Sequence, residues 1–188
     1  IAFLKACKID FRVYDDGVAD RLLTSFRDSI TIHNEIAVFH YARHSNVYFP
    51  GIHKRNDADI FHTSYEELYP LREMAKIGTD EMAYNPVLVS PKNGPKIGIT
   101  ESDLEDYPGM FLSGSGSDAL KGTFAPYPLE EKMTGGDYPQ ALVTRRADYI
   151  ARTKGARSFP WRVLIIADQD KELPSNDIVY RLASPSRI

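Results

Sequence analysis

The chain reads as a mostly β protein, an antiparallel β-sandwich with few short helices, and three observations predict it. Apolar and polar residues alternate over many short segments, and 12 Gly and 12 Pro punctuate them. Turn signals recur roughly every ten residues, the spacing of short sandwich strands. Ile9, Phe11 and Val13 share one strand face, with Asp10, Arg12 and Tyr14 on the other. Asp15-Asp16-Gly17 supplies a hairpin signal before a second strand over 18–23. Residues 28–33 and 35–41 read as a further pair turning at His33-Asn34. Strands over 86–90 and 96–100 flank Pro91-Lys92-Asn93-Gly94-Pro95, where Asn-Gly tolerates positive φ. Segments 110–112, 120–125, 141–151 and 161–167 complete the strands, with loops expected at 113–117 and 132–139. One segment predicts a helix: Ser175 after Pro174 as N-cap, then Ile178, Val179 and Leu182 at helical spacing.

The 188 residues suffice for one domain with a core of its own. No linker divides them, so 1–188 is read as a single domain. Net charge is −3 and the basic residues are scattered, which gives nucleic acid no electrostatic footprint. No apolar run approaches the roughly 20 residues of a membrane-spanning helix. The single cysteine, Cys7, rules out an internal disulfide framework and reads as a small buried hydrophobe. The sequence opens on Ile1 without a methionine or a leader-like segment, and ends abruptly at Ser184-Pro185-Ser186-Arg187-Ile188. A fragment of a longer protein is therefore expected.

Few residues point to chemistry. Gly114, Gly116 and Gly122 do not meet the spacing of a dinucleotide or Walker loop. His40 and His44 would share a helix face, but in an extended chain they lie about 13 Å apart. They read as surface or loop histidines. Lys154 to Arg162 interleaves basic residues with Phe159 and Trp161; such residues serve sugar clefts, cores and domain interfaces, and packing is the expected role. The densest signal is Glu101, Asp103, Glu105 and Asp106, crowded where a strand runs into Tyr107-Pro108-Gly109. Such carboxylates suit a hard cation such as calcium. They equally suit a solvated turn in which a carboxylate caps backbone N–H groups, and no EF-hand spacing is present.

At this stretch the chain becomes familiar. Ile99-Thr100-Glu101-Ser102-Asp103-Leu104-Glu105-Asp106-Tyr107-Pro108-Gly109-Met110 resembles a signature of the N-terminal domain of glycoside hydrolase family 97. So do Phe11 to Ala19, Leu120 to Pro128, Thr153 to Arg162 and the closing Leu182 to Ile188, in the family's order. The resemblance implies a sandwich of the galactose-mutarotase-like (super-sandwich) type, incomplete at its start. A catalytic (β/α)8 barrel, on which this domain packs, would follow it and is absent from these residues. It implies exo-acting α-glycosidases: calcium-dependent inverting α-glucosidases and retaining α-galactosidases, periplasmic or secreted in bacteria. The paired catalytic carboxylates lie in the barrel, so the resemblance places none of them in this chain. From this domain it implies one wall of the pocket for an oligosaccharide substrate. It also implies one glutamate ligand to an active-site Ca2+, matched to Glu101, with Glu105 as second choice. A free-standing carbohydrate-binding or adaptor module is the competing expectation. A mutarotase-like epimerase ranks last, for want of a motif setting a glutamate base beside histidine acids.

Overall fold

A computed structural model describes residues 2–4, 6–55 and 59–186, the first three by backbone alone. Ile1, Arg187 and Ile188, named above at the chain's ends, lie outside the described residues. The strands are β1 Ala2–Leu4, β2 Cys7–Tyr14, β3 Gly17–Ser25, β4 Ile30–Ile32, β5 Val38–His40, β6 Asn46–Tyr48, β7 Leu71–Glu73, β8 Met82–Ala83, β9 Val87–Ser90, β10 Lys96–Ser102, β11 Met110–Gly114, β12 Ala119–Phe124, β13 Pro128–Met133, β14 Ala141–Arg146, β15 Ala151–Thr153, β16 Ala156–Ser158 and β17 Trp161–Ala167. Two short 3-10 turns, Met74–Lys76 and Asp170–Ser175, and one helix, α1 Ile178–Leu182, are the helical elements among the described residues. The chain is thus mostly β, in antiparallel sheets with few short helices.

The main sheet runs β1-β2-β3-β17-β10-β9-β6-β7, with β16 also paired to β3. A four-stranded sheet, β5-β12-β11-β8, faces its middle. Val47, Val89 and Ile99 from the first sheet meet Leu112, Leu120 and Phe124 from the second in one buried cluster. Period-2 alternation explains why: one residue in two of each strand points inward. The other face of the main sheet is closed by α1. Ile178 and Leu182 pack there on Ala19, Trp161 and Val163. The two smaller pairings, β13-β14 and β15-β4, hydrogen-bond to neither sheet, although Ala151, Ile30 and Ile32 of the second pack on the core.

Several expectations hold and several need correction. The Asp15-Asp16 turn joins β2 to β3 with Tyr14 opposite Gly17, and Gly94 takes φ +111 in the turn before β10. Residues 28–33 and 35–41, however, do not pair with one another. β4 pairs with β15 and β5 with β12, because those partners offer apolar neighbours over the core, whereas a local hairpin would leave both strands in solvent. The run 141–151 is two strands, β14 and β15, broken where Tyr127 N–H donates to the Tyr149 carbonyl and its own carbonyl accepts from Ala147 N–H. Ser113 and Gly114 end β11, and Lys132 and Met133 end β13, so both expected loops are shorter. Ser175 does not cap α1: Asp177 is the N-cap, and Ser175 Oγ donates to the Glu172 carbonyl of the preceding turn. The short strands β6, β7, β8 and β16 carry too few residues for alternation to register, and β13, six residues exposed throughout, has no buried face to alternate with.

Gly155 illustrates how tightly the segments are joined. A Cβ there would collide with the Asp28 carbonyl and lie 2.7 Å from the Phe26 carbonyl. Gly155→Ala is expected to destabilise the domain by about 1–3 kcal/mol or more, as overpacking against rigid backbone does. A urea midpoint lowered at unchanged m-value is the readout.

Candidate functional site

Three adjacent strands build the site. In the β10–β17 ladder Glu101 stands opposite Arg162, and in the β17–β3 ladder Arg162 stands opposite Asp20. Same-face cross-strand neighbours are within side-chain reach, so sequence positions 20, 101 and 162 converge on one inner-face spot. A fourth group arrives from the irregular segment before β5. Glu35 receives both arms of the Arg162 fork, Nε and Nη2, at 2.8 Å each. Arg162 Nη1 donates to Glu101 Oε2 at 2.5 Å. The guanidinium therefore ties two carboxylates, and it lies 5.0 Å from the Phe124 ring centroid. Arg162 is only 6% exposed, a depth a charge tolerates only when paired and hydrogen-bonded.

The Asp103 to Gly109 turn explains the hold on Glu101. It returns the chain so that Met110 N–H donates to Glu101 Oε1 at 2.9 Å. Gly109 leaves room: a Cβ there would press to 3.3 Å from the same oxygen. Asp103, at φ +59, accepts from Arg21, from Ser184 N–H and from Ser184 Oγ. Asp106 takes a bond from Arg157, and Glu105 is exposed. The four crowded carboxylates thus separate: Glu101 turns inward, Asp103 and Asp106 serve as structural acceptors, and Glu105 faces solvent.

Burial dominates the electrostatics. It pushes the Glu101 carboxyl up despite the opposing pull of Arg162 and the Met110 N–H. Asp20 is pushed up for the same reason. Tyr107 is raised too, by burial first and then by the negative charge of Glu35 beside it. Three carboxylates face one guanidinium here, so the cluster favours a cation or a neutral hydroxylated ligand over an anion.

Asp20, Glu35, Arg162 and Tyr107 lie along a cleft of ≈ 590 Å³ whose walls include Phe39 and Phe159. That volume and mixture of apolar walls with a few convergent polar groups suit a small-molecule site. Calcium, implied by the resemblance, fits Glu101 only as one ligand of a shared site. The carboxylate keeps lone pairs beyond those bonded to Met110 and Arg162. Among the described residues no three His, Cys, Asp or Glu side chains gather to hold a metal ion, and calcium takes six to eight oxygens. The remaining ligands would have to come from outside the described residues.

Glu35 and Asp20 escaped the sequence reading. The available signal was the strict alternation placing Asp20 on the face of Val18 and Leu22; nothing local marked Glu35. His40 sits in β5, and His44 lies in a turn with Nδ1 4.0 Å from Glu73. Trp161 packs beneath α1, 2% exposed. Cys7 is half-buried at the cleft. Among the described residues no helix is long and apolar enough to cross a membrane.

The chain is similar to known proteins. The family model described as glycosyl-hydrolase 97 N-terminal matches residues 2–185. A retaining alpha-galactosidase of Bacteroides thetaiotaomicron is 32% identical over 192 residues, covering 100% of this chain and 29% of that protein. A glycoside hydrolase family 97 enzyme from Pseudoalteromonas sp. strain K8, solved with acarbose, superposes at TM-score 0.72 and 19% identity, over 96% of this chain and 24% of that one. A beta-arabinopyranosidase structure superposes at TM-score 0.64 and 22% identity, over 86% and 25%. The chain therefore spans about a quarter of the length of these relatives. With the family model matched along nearly its whole length, the chain belongs to the glycosyl hydrolase 97 N-terminal family.

Proposed function

We propose that this chain is the non-catalytic, pocket-forming N-terminal domain of an exo-acting α-glycosidase that hydrolyses terminal α-glucosides or α-galactosides. The observation that carries this reading is the Glu101–Arg162–Glu35 cluster beside the cleft, in which Glu101 and Arg162 come from two motifs by which the chain resembles the family. The catalytic acid and base belong to a (β/α)8 barrel that packs on this domain. Glu101 supplies one ligand to a calcium ion shared with that barrel, and Glu105, exposed in the same turn, is the second choice. The ion would order the two domains together and polarise the site near the leaving group. The two facing sheets correspond to the leaves of a galactose-mutarotase-like super-sandwich. Export to the periplasm or beyond belongs to the same proposal.

The test is made on the full-length protein. It is expected to cleave an aryl α-glucoside or α-galactoside. Glu101→Gln is expected to weaken calcium binding, read by calorimetry, by about ten-fold or more, since ligand charge count tunes calcium affinity over decades. Glutamine retains the shape and still accepts from Met110 N–H, so the fold should survive. Unchanged calcium affinity with intact folding would remove Glu101 from the metal site. The cleft itself favours a second reading, a carbohydrate-binding module that acts without a barrel. Saturable sugar binding by a natural product no longer than this chain would select it.

A further inference from the structure

We propose that the β13–β14 ribbon is a docking arm that packs on the catalytic portion of the full-length glycosidase, an inference that rests on the function proposed above. β13 and β14 form a sheet of their own, paired with no other described strand. Every residue of β13 is exposed. A lone two-stranded ribbon is marginal in water unless it packs on something, yet this one carries large apolar side chains from base to tip. Tyr127 is 45% exposed, Leu129 42%, Met133 59% and Tyr138 89%. Scattered single residues of this kind mean little, but four of them on one ribbon and its loop, with no other described strand beside it, point to an interaction surface.

The base of the arm is fixed. Tyr127 N–H donates to the Tyr149 carbonyl and Ala147 N–H to the Tyr127 carbonyl, and the two tyrosine rings stack at 5.6 Å. Arg146 donates to the Pro126 carbonyl and to Asp59. A groove of ≈ 250 Å³ at the base runs from Tyr107 and Pro108 to Pro128 and Arg146. Tyr107 also lines the main cleft, so the groove at the arm's base and the cleft meet at this residue, in the turn that holds Glu101. The matched part is 24% of the Pseudoalteromonas enzyme and 29% of the alpha-galactosidase, so a body about two to three times its size accompanies the domain within each of those chains. The occupant assigned is that portion of the same polypeptide.

Met133 is its own probe. Met74, Met82 and Met110 are buried, which leaves Met133 the exposed methionine among the described residues. Full-length enzyme that cleaves an α-glycoside would be treated with hydrogen peroxide, and sulfoxide mapped by peptide mass. Docking predicts that Met133 oxidises at least about ten-fold more slowly than free methionine, because thioether oxidation follows exposure. Leu129→Asp should bring it to within about two-fold of the free rate, by weakening a contact that no longer excludes the oxidant. Oxidation at the free rate in an enzyme that still cleaves α-glycosides overturns the arm and leaves the function intact. Protection that disappears on dilution assigns the surface to a second copy, and overturns the proposal equally.

Discussion

Arg162→Met is expected to destabilise the folded domain by about 3–5 kcal/mol, the cost of leaving buried carboxylates without their counter-charge. The guanidinium is 6% exposed and its three charge-assisted bonds go to Glu35 and Glu101. Methionine fills much of the volume, so the loss reports charge and not a cavity. The effect should depend on pH in a definite direction. Glu101 already has its carboxyl raised by burial, and removing Arg162 raises it further. A carboxyl with a raised folded-state pKa favours folding fully below its unfolded value, and that contribution is lost as pH rises through the folded one. The destabilisation should therefore be largest at neutral pH and shrink as pH falls below the ordinary carboxylate range near 4. Adding Glu35→Gln and Glu101→Gln to Arg162→Met removes the orphaned charges and should recover most of the loss. Chemical denaturation of the full-length protein at pH 7 and pH 4 measures all three statements. Equal losses at both pH values would mean that packing, not charge, holds the cluster.

Trp161→Ala should cost a similar amount, about 3–5 kcal/mol, for a different reason. Trp161 is 2% exposed and fills the layer between the main sheet and α1, against Ala19, Val163, Ile178 and Leu182. Arg21 lies 4.2 Å from its ring centroid, an additional contact of the cation–π kind. The cavity left by alanine cannot close without moving α1. Trp161→Phe is the informative partner. The indole Nε1 is buried with no hydrogen-bond partner among the described residues, so phenylalanine removes an unsatisfied donor along with part of the ring. A loss for Trp161→Phe less than half that for Trp161→Ala is expected from thermal unfolding. Equal losses would show that the five-membered ring, and not the apolar bulk, is what α1 requires.

Both residues come from one hexapeptide, Ser158 to Val163, and alternation sends them to opposite faces of the main sheet. That much was legible in the sequence: the β class, the β2–β3 hairpin, β9 and β10 with their Asn-Gly turn, the helix after residue 177, and the family. Long alternating strands and turn residues act locally, so their signal survives without a partner. The stretch holding Glu101 stood out because carboxylates crowd its turn, with Glu101 itself picked out by the family resemblance, and Trp161 stood out because its neighbours interleave basic and aromatic residues.

The tertiary structure alone decided the rest. Glu35 lies 127 positions from Arg162, and its segment carries no periodicity, so no local pattern could bring the two together. Pairing of β4 with β15 and β5 with β12 overrode the local hairpin, because core burial outweighs proximity along the chain once the sheets meet. Crowding alone did not rank the four acidic residues of the turn; only the family resemblance picked out Glu101. Backbone geometry separated them, sending Glu101 to a buried guanidinium and Glu105 to water. Sequence alone therefore determined the family, the strand-rich class and the stretch where the carboxylates gather. Three-dimensional packing determined which carboxylate is held and by what, because burial and charge pairing exist only between segments that folding has brought into contact.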